Sequence, residues 1–308
     1  MAWTSDQLIA NVRVRARIPD GASVVSDAEL LVIADEVIAD TILPLVRKVA
    51  QEYGVVQADQ SIVADQDAYR IPTRAQVQGL RDVILVQANS GVGYSLPQIP
   101  LEERETYQPA GSYYWRSGSA FCLQGDKVIL LPTPTQSGFT LRLRYYRRPS
   151  RLVLDAAAAQ ITDASNSPGF TVDAVPAAWS TDDLFDTIEG NPGFDWLATD
   201  STATDASGTS MDFAATPSAE IANGDYFALA GETPIPQIPA ELHSSLALGM
   251  TVRIHELMGR TQLHDRGQAK LEDQLEKLMV LLTPRVDGEN VRIIPRGGLL
   301  RGRRRWRR

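Results

Sequence analysis

Apolar positions early in the chain recur at three- and four-residue steps, and two such runs begin on helix-capping phrases. Thr4-Ser-Asp-Gln7 and Ser26-Asp-Ala-Glu29 each set a hydroxyl three residues before a side chain that can reach back, which satisfies the orphan N–H groups of a helix start. The first helix is predicted to end near Arg17, ahead of the turn Pro19-Asp-Gly21. The second is predicted over 27–53, stopping at Gly54, with Leu30, Ala34, Val37, Thr41, Leu45 and Val49 as its apolar stripe. Pro44 inside that stripe predicts a kink, because it deletes a backbone hydrogen bond.

From Val55 the pattern turns to β. Ala68-Tyr-Arg-Ile71 and residues 80–87 predict strands, the latter ending at the turn Asn89-Ser-Gly-Val-Gly93. Residues 121–131 predict a hairpin turning at Gly125-Asp126, and residues 140–146 alternate as a half-buried strand should. A short polar helix is expected over 101–107. Residues 152–238 are rich in Asp, Ala, Ser, Thr, Gly and Pro. Their aromatic set, Phe170, Trp179, Phe185, Phe194, Trp196, Phe213, Tyr226 and Phe227, suffices for a small β core. Helix returns at Pro239, a good first helical residue, with Leu242, Leu246, Met250, Ile254 and Leu257 on one stripe as far as about Arg260. A last helix over 265–282 carries Leu271, Leu275, Leu278 and Leu282 as a seam, and Pro284 closes it.

These elements predict an α+β protein: a helical bundle from N- and C-terminal helices, a β-rich middle segment and an inserted small β domain. The expected division is 1–54 and 239–283 for bundle helices, 55–151 for the β-rich segment, 152–238 for an acidic β-rich insertion and 284–308 for a basic arm.

Composition adds little until charge is mapped. Hydrophobic content of 44% supports real cores, and the single cysteine, Cys122, excludes an internal disulfide framework. Its setting, Phe121-Cys-Leu123, predicts a buried small hydrophobe. Met1-Ala-Trp-Thr-Ser-Asp6 has no basic start and no apolar run of the kind a secretory signal needs, and no stretch approaches the ~18 apolar residues that span a bilayer.

Charge is strongly segregated. No Lys or Arg occurs from Leu152 to Val252, while the last eight residues hold six arginines. Between Arg285 and Arg308 nine arginines face two acids, a balance of +7, so a chain of net −8 carries −15 over residues 1–284. A basic arm on an acidic body points to a negative surface elsewhere: nucleic acid, a membrane or an acidic protein. Arginine in place of lysine, with Trp306 in the run, favours contact over mere solvation. A second basic feature is the strand carrying Arg142 and Arg144 on one face and Leu141, Leu143 and Tyr145 on the other, followed by Arg147, Arg148 and Arg151. It is either an ordinary amphipathic strand or an arginine band on a channel or interface wall.

Motifs of chemistry are wanting. His255-Glu-Leu-Met-Gly259 has no second histidine four residues on, and neither Gly-x-Ser-x-Gly nor a Gly-Lys-Ser/Thr phosphate loop occurs. Asp195, Asp200 and Asp205 are five apart, unlike the alternate-position ligands of a calcium loop. No enzyme, cofactor or metal site is expected. Trp179 and Trp196 leave a sugar-stacking surface open as a third option beside core packing.

The phrase Gly125-Asp-Lys-Val-Ile-Leu-Leu-Pro-Thr-Pro134, then Leu141-Arg-Leu-Arg-Tyr-Tyr-Arg-Arg-Pro149 and Leu152, resembles that of tailed-bacteriophage head-to-tail adaptor (connector) proteins. The order of elements is similar too, including the late helices that begin at Ile238-Pro-Ala-Glu-Leu-His243. The likeness covers about 1–151 and 234–283; residues 152–238 depart from it. It implies a virion structural protein at the head–tail junction, assembled in the host cytoplasm as a ring of twelve copies. The implied partners are the portal protein, a tail tube or nozzle protein and further copies of itself, with no membrane. It also implies that the C-terminal arm docks on the portal through Arg296, Arg301, Arg303, Arg304, Arg305, Trp306, Arg307 and Arg308. The alternative is a nucleic-acid-binding protein whose arm contacts phosphates, packaged DNA among them.

Overall fold

The computed structural model describes residues 3–18, 25–87, 91–105, 107, 119–190 and 195–282. The chain opens with α1 (Ser5–Ala16), which Thr4 caps by accepting from the Gln7 N–H, and which ends on Arg17 at φ 55°. Next comes α2 (Asp27–Val37), whose Ser26–Glu29 capping box forms on both sides. Pro44 does not break this helix. The chain widens into a π turn over Ile38–Ile42, with the Leu43 N–H reaching back to the Ile38 carbonyl, and continues as α3 (Leu43–Val49) with the proline in its first turn.

That π turn inserts one residue into the helical register, so every position after it rotates. The stripe expected at Thr41, Leu45 and Val49 is therefore replaced by Ile42 and Val46, which are buried. The helix also ends at Val49, four residues sooner than its pattern predicts, and a turn leads to Gly54 at φ +70°.

Four strands, β1 (Val55–Ser61), β2 (Ala68–Arg70), β3 (Ala75–Gln87) and β4 (Gly93–Ser95), lead to one 3-10 turn at Leu101–Glu103, where the sequence predicts a longer helix. The hairpin β5 (Ala120–Gln124) and β6 (Lys127–Leu131) turns at Gly125-Asp126 as expected, and β7 (Phe139–Arg147) follows. These form two sheets, β1-β7-β3-β4 and β2-β6-β5. They share one core, in which Val83, Leu85, Val128, Leu130, Leu141 and Leu143 are almost wholly buried. Cys122 lies at 0% exposure, and burial raises its thiol pKa.

The acidic stretch folds as a closed six-stranded barrel. After β8 (Arg151–Leu152) come β9 (Ala159–Asp163), β10 (Gly169–Val172), β11 (Leu184–Ile188), β12 (Trp196–Ser207), β13 (Ser210–Phe213) and β14 (Tyr226–Leu229), closing in the order β10-β13-β12-β11-β14-β9. Full closure leaves no free sheet edge, so a module with no basic side chain stays intact without a covering helix. Five of the predicted aromatics fill it: Phe170, Trp179, Phe185, Phe213 and Phe227. Trp196 and Tyr226 pack in a separate small cluster, and Phe194 lies outside the described residues. The outgoing strand β15 (Glu232–Thr233) runs parallel to β8, so the chain leaves the barrel beside the point where it came in.

A 3-10 turn at Ala240–Leu242 then precedes α4 (His243–Leu257) and α5 (Thr261–Leu282), so Pro239 sits just before helical backbone. Helices from the two ends of the chain share one core: Leu8 and Val12 of α1, Leu30 and Ala34 of α2, and Leu246, Met250 and Ile254 of α4. Gly249 lets α2 approach closely, since a Cβ there would lie 2.7 Å from Val37 Cγ1. Leu248 and Val252, which the stripe leaves on the outside of α4, are buried because α5 covers them; Leu271 and Leu275 pack against Leu248. Less than a tenth of Leu248 and of Val252 stays exposed, where the groove between α4 and α5 opens. Trp3 adds a further tie, donating its backbone N–H to His243 Nδ1 at 2.9 Å, which leaves Nε2 to donate to the Ile238 carbonyl at 3.3 Å. Burial lowers the pKa of this imidazole, consistent with the neutral tautomer.

Asp35 of α2 ties the helices to β8, where the chain leads into the barrel, by accepting the Leu152 N–H at 3.1 Å. Burial raises its pKa to about 6, against the opposing pull of that hydrogen bond and of Arg151. Below the unfolded value near 4 the neutral acid costs nothing. As pH rises through 6 the folded state must hold a half-buried charge, and stability falls. Asp35→Asn keeps an acceptor for Leu152 and removes the charge. It is expected to stabilise the protein at pH 7.5 by about 1–2 kcal/mol, allowing for screening by the solvent that still reaches the group, and to have little effect at pH 4. Urea denaturation at the two pH values checks this; an equal difference at both would contradict it.

Candidate functional site

The arginine strand is the sequence-predicted surface that the described residues contain. β7 alternates as expected, with Leu141, Leu143 and Tyr145 buried and Arg142 and Arg144 on the outer face. Arg142 stands opposite Asp59 of β1 and grips it through both carboxylate oxygens, at 3.0 and 2.9 Å. Those hydrogen bonds hold the Asp59 carboxyl below its usual pKa. Arg144 is exposed, with no ion-pair partner among the described residues. Arg148 and Arg151 are exposed as well, beyond the strand or at its successor β8.

Arg147 goes the other way. It falls on the inward phase of β7, is 7% exposed, and lays its guanidinium 3.5 Å above the centre of the Trp196 ring, with Asp195 at 3.6 Å. Burial lowers its pKa, and Asp195 opposes that shift. The five arginines of this stretch are thus not brought together as one band.

Arg147 belongs to a joint that sequence reasoning did not find. Asp186 of β11 is fully buried and binds Arg74 by two hydrogen bonds, at 2.8 and 2.9 Å. The same carboxylate accepts the N–H groups of Asp200 at 3.1 Å and Gly231 at 2.9 Å. Arg74 reaches on to Asp200 at 2.7 Å and lies 5.4 Å from the centre of Trp196. Trp196 is therefore covered by two guanidinium groups, and Trp179 is buried against Phe185 at a ring separation of 5.0 Å, so neither offers a free stacking face for a sugar. One signal was available: Asp186 interrupts Leu184-Phe-Asp-Thr-Ile188, a run otherwise fit for a core strand, and a buried acid demands a partner.

Of the evenly spaced acids, Asp195 and Asp200 pair with these arginines and Asp205 accepts from Ser207. Among the described residues no three metal-ligating side chains converge, and no helix is long and apolar enough to cross a membrane. The predicted portal-contact residues, Arg296, Arg301, Arg303, Arg304, Arg305, Trp306, Arg307 and Arg308, lie outside the described residues.

A helical core built from both chain ends, a two-sheet platform and a barrel locked to it by buried ion pairs suit a protein whose work is to hold surfaces in place. The class is the phage head-to-tail adaptor. A family model described as SU10 adaptor protein matches residues 4–181, more than half of the chain, and the chain belongs to that family. No curated protein matches it. Membership implies a structural protein of the virion, assembled in several copies, with portal and tail partners. The match covers α1 to α3, the platform and the first part of the barrel; α4, α5 and the basic arm follow it.

The joint carries a direct expectation. Asp186→Ala leaves the N–H groups of Asp200 and Gly231 without their acceptor and Arg74 with Asp200 as its remaining partner, and should cost about 3–5 kcal/mol. The measurement is the urea midpoint of the variant; a loss below 1 kcal/mol would show that the joint does not hold the barrel.

Proposed function

We propose that this chain forms a ring of twelve copies between portal and tail, with its C-terminal arm docking on the portal. The helices act as a bundle that builds the ring wall. The observation that carries this reading is the division of charge along the chain: no Lys or Arg from Leu152 to Val252, then nine arginines after Pro284. Such an arm is suited to a partner's carboxylates.

At an exposed rim each ion pair contributes only ~0–1 kcal/mol. Repetition around a ring makes such weak contacts hold, because after the first arm binds the others act at high local concentration. Arg296, Arg301, Arg303, Arg304, Arg305, Arg307 and Arg308 supply the charge and Trp306 an apolar anchor. Arg142, Arg144, Arg148 and Arg151 remain candidates for a channel or interface surface, whereas Arg147 serves the barrel joint. Assembly in the host cytoplasm precedes incorporation into the virion.

Deleting residues 285–308 should leave the circular dichroism spectrum and melting temperature essentially unchanged and abolish co-sedimentation with portal protein. Docking that survives the deletion would overturn the arm's role. If the arm instead wraps duplex DNA with six phosphate contacts, log affinity should fall with log salt at a slope of about −5; the portal reading expects no such binding.

A further inference from the structure

A groove lies between α4 and α5, flanked by the end of α1. It has a volume of about 360 Å³, with an apolar wall of Leu248, Val252 and Leu263 and a polar wall of Arg15, His255 and Lys270; no Asp or Glu lines it. Arg15 and Lys270 are exposed and have no ion-pair partner among the described residues; Arg15 donates only to the Ser244 carbonyl, at 2.9 Å. His255 is 8% exposed, and its Nδ1 is buried without a hydrogen-bond partner. Burial lowers the pKa of this imidazole, as do the charges of Arg260 and His264. The groove therefore presents two free cations and an unsatisfied ring nitrogen beside an apolar surface, a setting for carboxylates flanking an apolar side chain.

The barrel displays the complement. Leu184 is 44% exposed at the start of β11, directly after Asp182 and Asp183, in a module with no cation of its own. Asp182 is exposed, and the Asp183 carboxylate holds the Ser180 N–H at 2.8 Å, which fixes the turn that presents the leucine. Within one copy no ion pair among the described residues joins these acids to Arg15 or Lys270.

We propose that the groove receives the Asp182-Asp183-Leu184 edge of a neighbouring copy's barrel, with Leu184 on the apolar wall and the carboxylates on Arg15 and Lys270. This contact rests on the ring reading and says how the ring closes: each barrel reaches over to the helices of the next copy. The basic arm is thereby left free for the portal.

The test mixes full-length protein at natural isotope abundance with 15N-labelled protein, with and without portal protein, and treats it with a carbodiimide that joins amines directly to carboxylates. Mass spectrometry should find Lys270 bonded to Asp182 or Asp183 across mixed-isotope pairs. Lys270→Glu should weaken self-association by roughly tenfold or more, and Asp182→Lys in the same chain should restore it. Oligomers that lack the mixed-isotope bond, or whose assembly ignores Lys270→Glu, would overturn the contact and leave the ring standing. Bonds from Lys270 to portal carboxylates would overturn it in favour of the portal. A chain that stays monomeric even with portal protein would overturn the ring reading as well.

Discussion

The burial of α4 on nearly every side is the interaction on which the other parts depend. Its Leu246, Met250 and Ile254 meet α1 and α2, while Leu248 and Val252 lie under α5. Each such side chain contributes about 1.5–3 kcal/mol by leaving water, so helices that are marginal alone become stable together. The α1 and α2 partners of α4 lie more than 200 residues earlier in the chain, from Leu8 to Val37. The intervening chain must therefore leave the helices and return close to its starting point. The parallel pair β8 and β15, the Asp35 bond to Leu152 and the bond from the Ser5 N–H to the Pro234 carbonyl are the physical form of that closure.

Closure of the path would still leave the barrel on a two-strand stalk. The joint of Asp186, Arg74 and Trp196 removes that freedom by fixing β11 and β12 against the strand ends of the platform. A buried ion pair is a poor source of net stability, since desolvation offsets most of its Coulomb gain, yet it is intolerant of other geometries. Its consequence here is orientation: a module that carries only negative charge is held in one place relative to the helices, which is useful in a protein that must present separate surfaces to separate partners.

Much of the fold was legible in the pattern of apolar positions. Both capped helix starts, the Gly125-Asp126 hairpin, the alternation of β7 and the aromatic core of the barrel follow from local periodicity and turn chemistry. What was not legible depended on partners distant in sequence or on backbone adjustment. Pro44 was expected to kink the helix; the backbone before it takes up a π turn, which shifts the buried face by one residue, from Thr41 and Leu45 to Ile42 and Val46. Leu248 and Val252 lie off the apolar stripe of α4, and only the packing of α5 buries them. Arg147 shared a basic run with Arg142 and Arg144, yet strand phase alone puts it with the inward residues. Arg74 gives no local sign that it pairs with an acid 112 residues away.

Imaging decides whether the ring sits between portal and tail. Electron microscopy of the purified full-length protein mixed with portal protein is predicted to show a closed ring of twelve copies seated on one end of the portal, with density from the end of α5 reaching it. Single unassembled copies, or a ring that forms without touching the portal, would contradict the account.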